Sequence, residues 1–301
     1  MIITCPHCSK EHTIDETRIP PNVRRVRCKF CKQLFLFGEG QEKKVRENQI
    51  RKLAVSLSKG GVGKTTTAVN LAGGLALAGY KVLLIDTDTQ GQSAFMLGVR
   101  PSAGLTELVT EELAPEECLF QARQNLWLLA GGKSLAGVKR VIDRKDFGGE
   151  MTLAEKISPI DNQFDFVIVD TSPGWDPLIV NVLFYVTEIL IPVSLEVMTL
   201  QGLVEFLKSI SSIQKYQPAL GLKYILPTFL DKRVKNTTGI LTKLEELYGE
   251  HVCKPIRYNV RLTEAPAHGQ TIYEFAPGSN GASDYRDLVR KVSGNSKLFM
   301  E

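Results

Sequence analysis

The stretch Ser58-Lys59-Gly60-Gly61-Val62-Gly63-Lys64-Thr65-Thr66-Thr67 decides how this chain folds. Its Gly63-Lys64-Thr65 end matches the close of the phosphate-binding loop G-x-x-x-x-G-K-[ST], with Ser58 standing where the first glycine belongs. Before it runs Leu53-Ala54-Val55-Ser56-Leu57, apolar and of strand length; after it, Ala68 to Gly79 is small, apolar and free of proline. A strand, a glycine loop and a helix in that order aim backbone N–H groups and the positive end of a helix at an anion. Gly60, Gly61, Val62, Gly63, Lys64, Thr65 and Thr66 are therefore the expected nucleotide cradle. Lys64 would reach the β- and γ-phosphates, and the Thr65 hydroxyl would bind Mg²⁺. A flexible Gly-rich turn would need neither the strand, the helix, the lysine nor the threonine, and all four are here.

Two further apolar strands end in carboxylates. Lys81-Val82-Leu83-Leu84-Ile85-Asp86 leads into Thr87-Asp88-Thr89-Gln90-Gly91, and Phe164-Asp165-Phe166-Val167-Ile168-Val169-Asp170 has the Walker B pattern of large apolar residues before an acid. Carboxylates at the C-terminal ends of strands lie where ligands bind in open α/β sheets. Asp86 and Asp170 are expected to join Thr65 in the Mg²⁺ shell, Asp170 through water. The plain alternative for Asp86 and Asp88 is that they cap a helix. Leu126-Trp127-Leu128-Leu129-Ala130, Ile189 to Val193 and Tyr224 to Thr228 are further strands, with helical segments at Leu153 to Ile157 and Leu200 to Ile213; Pro101 to Glu117 predicts a loop and a short helix. The class that follows is α/β: a P-loop NTPase with a mostly parallel twisted sheet and helices on both faces.

Of the 301 residues 43% are hydrophobic and 23% charged, ordinary values for a globular protein. No apolar run approaches the roughly 20 residues of a transmembrane helix. Met1-Ile2-Ile3-Thr4-Cys5 has neither the charged nor the apolar region of a signal peptide, so reducing cytoplasm is expected. The net charge of +4 is uneven: residues 1–37 hold seven Lys/Arg and three Asp/Glu, and the other 30 basic and 30 acidic residues cancel. Attraction of the main body to nucleic acid would have to come from a local patch.

Cys5-Pro6-His7-Cys8 and Cys28-Lys29-Phe30-Cys31 are two C-x-x-C knuckles with nineteen residues between them. That spacing predicts a four-cysteine Zn²⁺ site, in which the metal replaces a core too small to fold alone. Disulfides are disfavoured in a reducing compartment, and a redox C-x-x-C needs no second copy. Four cysteines complete the site without His7 or His12. Residues 1–37 are thus expected to be a zinc ribbon, 38–50 a polar linker, and 51–301 the domain of the phosphate loop. Arg24, Arg25, Arg27, Lys29 and Lys32 lie beside Phe30, Phe35 and Phe37, which suits either nucleic acid or a protein-docking rim.

Lys59 gives the loop a second lysine, five residues before Lys64. K-G-G-V-G-K-T-T is the deviant Walker A motif, and the chain resembles the ParA/MinD family of ATPases. The family's D-x-D-P-Q-G-N appears with Thr89 for Pro and Gln92 for Asn; its D-x-P-P appears as Asp170-Thr171-Ser172-Pro173, one Pro short. Pro255 to Gly269, containing N-V-R-L-T-E-A-P, resembles the partition members rather than MinD, as does the helix around Tyr285 to Val289. The resemblance covers residues 51 to about 293. It implies catalytic roles for Lys59, Lys64 and Asp88: Lys59 touches phosphate across an ATP-driven homodimer, in the manner of an arginine finger, and Asp88 orients the attacking water. It also implies non-specific DNA binding through Arg233 and Arg261, within a stretch from Lys223 to Arg261 that holds eight Lys/Arg and four Asp/Glu. A ParB-like or other protein would stimulate hydrolysis, and the cargo would be chromosome, plasmid or protein assembly on a bacterial nucleoid.

The residues disfavour two other classes. A MinD-like membrane ATPase carries a basic amphipathic C-terminal helix, whereas Val292 to Glu301 is broken by Gly, Ser and Asn. An iron–sulfur reductase needs paired core cysteines, and the body holds only Cys118 and Cys253.

Overall fold

The structure is a computed structural model that describes residues 2–4, 10–13, 25–36, 50–231 and 233–300. The chain divides into two units, Met1–Gln49 and Ile50–Glu301. In the first, β1 (Ile2–Thr4) pairs antiparallel with β2 (Glu11–Thr13), and β3 (Arg25–Arg27) with β4 (Leu34–Leu36). Cys5 and Cys8 lie outside the described residues, as does most of the expected linker.

In the second unit, β5 (Arg51–Val55), β6 (Val82–Asp86), β7 (Phe120–Arg123), β8 (Leu126–Leu129), β9 (Phe166–Asp170), β10 (Glu188–Ser194) and β11 (Gly221–Thr228) form one sheet in the order β11-β10-β5-β9-β6-β8-β7. Every neighbouring pair is parallel except β7–β8. Strand side chains alternate between faces. Ala54, Leu83, Ile85, Val167 and Val169 enter a core on one face; Leu53, Val55, Leu84, Phe166 and Ile168 enter a second core on the other. Both faces are covered, which is why these strands read as unbroken apolar runs rather than alternating ones.

The first core is roofed by helices that include Thr152–Asp161, Pro177–Tyr185 and Val197–Ile213, the second by Lys64–Leu77 and Asn280–Ser293. The helix Pro177–Tyr185 has an almost wholly apolar sequence that periodicity cannot separate from a strand. Its start is set by Asp176, whose Oδ1 accepts the N–H groups of Leu178 and Ile179, each at 3.0 Å. Cys118 is buried in the first core and Cys253 in the second, so the sheet separates the two body cysteines.

One feature of the register positions the site. Val55 and Asp86 are both Cα partners of Asp170. The tips of β5, β9 and β6 are therefore level, and the loops leaving them meet at one edge.

Candidate nucleotide site

The loop from β5 to the helix Lys64–Leu77 turns through two left-handed glycines, Gly61 at φ 74° and Gly63 at φ 87°. A side chain at either position would be strained, which explains the glycines. Gly63 is also the residue at the helix N-cap, leaving the first N–H groups of the helix uncapped by any side chain. The loop is anchored behind by Val62, which is buried and whose carbonyl accepts the Thr228 hydroxyl at 3.1 Å. Gly60 and Gly61 are exposed at its crest.

Lys64 is buried, and its ammonium donates to the Lys59 carbonyl at 2.7 Å. Burial pushes its pKa down, opposed by the charges of Asp170 and Asp88. Lys59, Thr65, Thr66 and Asp88 are half-buried around it. The Asp88 carboxylate accepts the Gln90 N–H at 2.9 Å, holding the turn after β6.

Asp86 and Asp170 are fully buried. Asp86 accepts the N–H groups of Asp88 at 2.9 Å and Ser93 at 3.0 Å. The Ser93 hydroxyl donates to Asp170 Oδ2 at 3.2 Å, and the Thr65 hydroxyl also bonds Asp170. Burial pushes Asp86 up to about 6 against these N–H bonds, with the Asp88 charge adding to the rise. Burial, then the charge of Asp86, pushes Asp170 well above the usual carboxylate range. Asp170 Oδ1 has no hydrogen-bond partner among the described residues. Two packed carboxylates, one bare oxygen and a threonine hydroxyl form an all-oxygen donor set that fits a hard divalent cation such as Mg²⁺. Thr65, Asp86 and Asp170, far apart in sequence, are thus brought together beside Lys64.

Beside Gly61, Gly63 and Thr66 opens a cavity of about 270 Å³ whose far walls include Phe229, Tyr258 and Leu262. Phe229 sits at φ 57°, a left-handed conformation rare for a bulky residue. No sequence pattern marks this cavity. Its walls come from segments about 170 to 200 residues downstream of the phosphate loop, and nothing local announces them. Ser93 follows the acidic turn closely, but its role depends on the strand register that sets Asp170 beside Asp86, which no local pattern reports.

The residues expected on DNA are exposed but engaged. Arg233 grips Asp231 through Nη2 at 2.6 Å and Nε at 2.9 Å, and Arg261 bonds Glu264 at 2.8 Å. Lys254 and Arg257 meet Asp287 and Asp284. Three of these carboxylates, Glu264, Asp284 and Asp287, lie outside the Lys223–Arg261 window, so the folded surface is less positive than the count of residues suggests.

In the ribbon, Cys28 Sγ accepts the N–H groups of Phe30 at 3.3 Å and Cys31 at 3.4 Å, and His12 Nε2 lies 3.3 Å away. Burial alone would raise the Cys28 thiol; these hydrogen bonds outweigh it and hold the thiol down at about 5. Thiolate character with N–H···S bonds from the following knuckle residues fits a Zn²⁺ ligand. With Cys5 and Cys8 outside the described residues, no cluster of three metal-binding side chains occurs among those described. His12, set aside on sequence alone, touches the sulfur of Cys28.

Comparison with known proteins agrees with this geometry. A family described as an AAA domain matches residues 50–222, and a zinc-ribbon domain matches residues 1–36. The chromosome-partitioning ATPase Soj of Thermus thermophilus is 36% identical over 246 residues, covering 81% of this chain and 96% of that protein. The sporulation initiation inhibitor protein Soj of Bacillus subtilis is 32% identical over 250 residues, covering 81% and 98%. Among solved structures, the cobyrinic acid a,c-diamide synthase of Mycobacterium smegmatis with ADP and magnesium superposes with a TM-score of 0.70 at 29% identity, covering 83% and 96%. A Cyanothece McdA–ATP complex gives 0.73 at 23% identity, covering 83% and 99%, a likeness of fold. A deviant phosphate loop over paired strand-end carboxylates, together with relatives matched nearly end to end, makes this chain a member of the ParA/Soj family of ATPases, carrying a zinc-ribbon domain at its N-terminus.

Proposed function

We propose that this chain is a Mg²⁺-dependent partition ATPase: ATP closes a homodimer, the dimer holds DNA of any sequence, and a partner protein stimulates hydrolysis and release. The observation that carries it is the level pair Asp86 and Asp170, raised in pKa and short of one hydrogen bond, beside Thr65 and Lys64. Mg²⁺, when bound, supplies the charge that neutralises this pair and the β- and γ-phosphate oxygens. Thr65, Asp86 and Asp170 hold it. Gly60 to Thr66 bind the phosphates through backbone N–H groups, and the buried Lys64 ammonium leaves the Lys59 carbonyl to meet them. Asp88 accepts a proton-side contact from the attacking water and orients it in line. Lys59 crosses to the partner subunit's nucleotide, which makes closure depend on the terminal phosphate. The 270 Å³ cavity suits the nucleoside, with Phe229 as its aromatic wall.

Arg233 and Arg261 are the proposed DNA contacts. Their ion pairs are exposed and screened by solvent, so a phosphate can displace the carboxylate partner. Four cysteines, Cys5, Cys8, Cys28 and Cys31, hold one Zn²⁺. Action on the nucleoid rather than at a bilayer is supported by the helix Asn280–Ser293. It ends at a left-handed Gly294 and buries Tyr285, Leu288, Val289 and Val292 in the second core, leaving no apolar face for lipid. No described helix is long and apolar enough to cross a membrane.

The test is light scattering and DNA mobility shift with ATP and with ADP. ATP should give the dimer and DNA binding, ADP neither, and Lys64→Ala neither with any nucleotide. Arg233→Glu and Arg261→Glu should weaken DNA binding uniformly across sequences while dimerisation persists. A permanent dimer without nucleotide, or DNA binding indifferent to nucleotide, refutes the switch.

A further inference from the structure

Among the described residues, three buried side-chain polar atoms lack a hydrogen-bond partner: Asp170 Oδ1, Ser172 Oγ and the Tyr273 hydroxyl. Two of the three fall within three consecutive residues at the tip of β9. Asp170 Oδ1 belongs to the oxygen donor set proposed above for a divalent cation. Ser172, 7% exposed, is not part of the donor set described above.

Its surroundings locate it. The neighbouring Thr171 hydroxyl donates back to the Val55 carbonyl at 3.0 Å, tying the segment to the end of β5. Gly174 N–H donates to the Ser58 carbonyl at 2.9 Å, and a Cβ placed on Gly60 would lie 3.9 Å from Pro173 Cβ. Residues 171–174 are therefore laid along Ser58 to Gly60, the opening residues of the phosphate loop, with Asp170 at their root. Asp170 and Asp88 are also the charges that act on Lys64. On the proposed function Lys64 reaches the terminal phosphate, which would then lie on this side of the cradle.

A buried hydroxyl left unpaired is costly, and folded proteins retain few of them. A serine here is also not needed for the backbone path, since the related D-x-P-P pattern places proline at this position. Proline has no hydroxyl; serine brings a donor to a place where an anion is expected. We propose that Ser172 is a further substrate-contacting residue, whose hydroxyl donates to an oxygen of the terminal phosphate of ATP and so favours ATP over ADP. The inference rests on the ATPase reading of the site and adds a donor to it. A phosphate oxygen is acceptor-only and charged, the strongest available partner for a neutral O–H. ADP leaves the hydroxyl unpaired.

The test is titration of full-length protein with Mg²⁺ and either a non-hydrolysable ATP analogue or ADP, in wild type, Ser172→Ala and Ser172→Cys. Ser172→Ala should bind the analogue about ten- to a hundredfold more weakly, the loss expected for one hydrogen bond to a charged group, with ADP affinity unchanged. Ser172→Cys, similar in size with a weak S–H donor, should fall between. The nucleotide-free Ser172→Ala protein should melt at the same temperature as wild type or higher, because a buried hydroxyl without a partner has been removed. A purely structural serine would behave in the opposite way: lower melting without nucleotide and equal losses for both nucleotides, and that outcome overturns the assignment. Unchanged affinity for both nucleotides in Ser172→Ala overturns it as well, while leaving the ATPase reading in place. Wild type that binds neither nucleotide removes the reading beneath it, and this inference with it.

Discussion

Asp86, Asp170 and Lys64 share one physical feature at the level of single residues: each is an ionisable group buried at the phosphate loop and the strand tips beside it, where on the proposed function a bound nucleotide and its cation would supply the compensating charge. Cys253 is the contrast, a buried ionisable group outside the phosphate-loop site. Burial pushes its thiol from 9.0 up to about 12, with Lys291 acting weakly the other way. The folded value is raised, so the native state keeps a proton that the unfolded chain releases. The stability linked to this group is fully present below about pH 9 and is lost as pH rises towards 12. Urea unfolding of full-length protein across that range should show Cys253→Ala losing stability less steeply than wild type, by up to about 1.4 kcal/mol per pH unit. Equal slopes would assign the alkaline loss to the buried tyrosines Tyr185, Tyr273 and Tyr285, which are shifted the same way.

At the level of elements, the acidic turn after β6 is held by its neighbours more than by its own sequence. Gly131, just beyond β8, is one such neighbour. A Cβ built on it would sit 2.6 Å from the Asp86 carbonyl and 2.9 Å from the Asp88 carbonyl, both backbone atoms that cannot swing aside. Gly131→Ala should push β8 and the acidic turn apart, costing about 1–3 kcal/mol as overpacking does. Melting should fall by about 2–4 °C per kcal/mol, with ATP hydrolysis lowered as Asp86 and Asp88 move. Gly137→Ala is the matched control: it lies in the helix Leu135–Asp143 with nothing within 4 Å of the new Cβ. That change should be neutral or stabilising, since alanine favours helix over glycine. If both variants melt alike, the close approach at Gly131 is not what holds the turn.

At the level of the whole molecule, the phosphate loop owns its strand, helix and carboxylates within Ile50–Glu301, while the zinc knuckles belong to the other unit. Full-length protein should contain one zinc per chain by metal analysis and residues 41–301 none. The truncated protein should bind ATP as full length does, since none of the site residues is removed. DNA binding is the informative comparison, because the ribbon carries a net +4 while the body patch is partly neutralised by Glu264, Asp284 and Asp287. Mobility shift at two salt concentrations should show residues 41–301 still binding with ATP, with a shallower salt dependence than full length. Complete loss on truncation would move DNA contact from Arg233 and Arg261 to the ribbon.

The phosphate loop, its strand and helix, and the acids ending β6 and β9 were legible in the sequence because each is local. Strand 53–57 runs 51–55 in the structure, and the helix begins at Lys64. Apolar runs report burial on both faces, and glycine reports backbone that no other residue tolerates at Gly61 and Gly63. The antiparallel edge strand β7 and the helices Pro177–Tyr185 and Lys235–Tyr248 are not legible in the sequence, since the first is short and half-exposed and the second is apolar except at Asn181. What only the tertiary structure decided depends on strand register and distant contacts. The level pairing of Asp86 with Asp170, the Ser93 bridge between them and the cavity walled by Phe229 and Tyr258 are of this kind. So are the carboxylates that offset the basic patch. A sequence states which charges a chain carries, but packing decides which of them are left facing a ligand, because pairing joins residues that no local pattern connects.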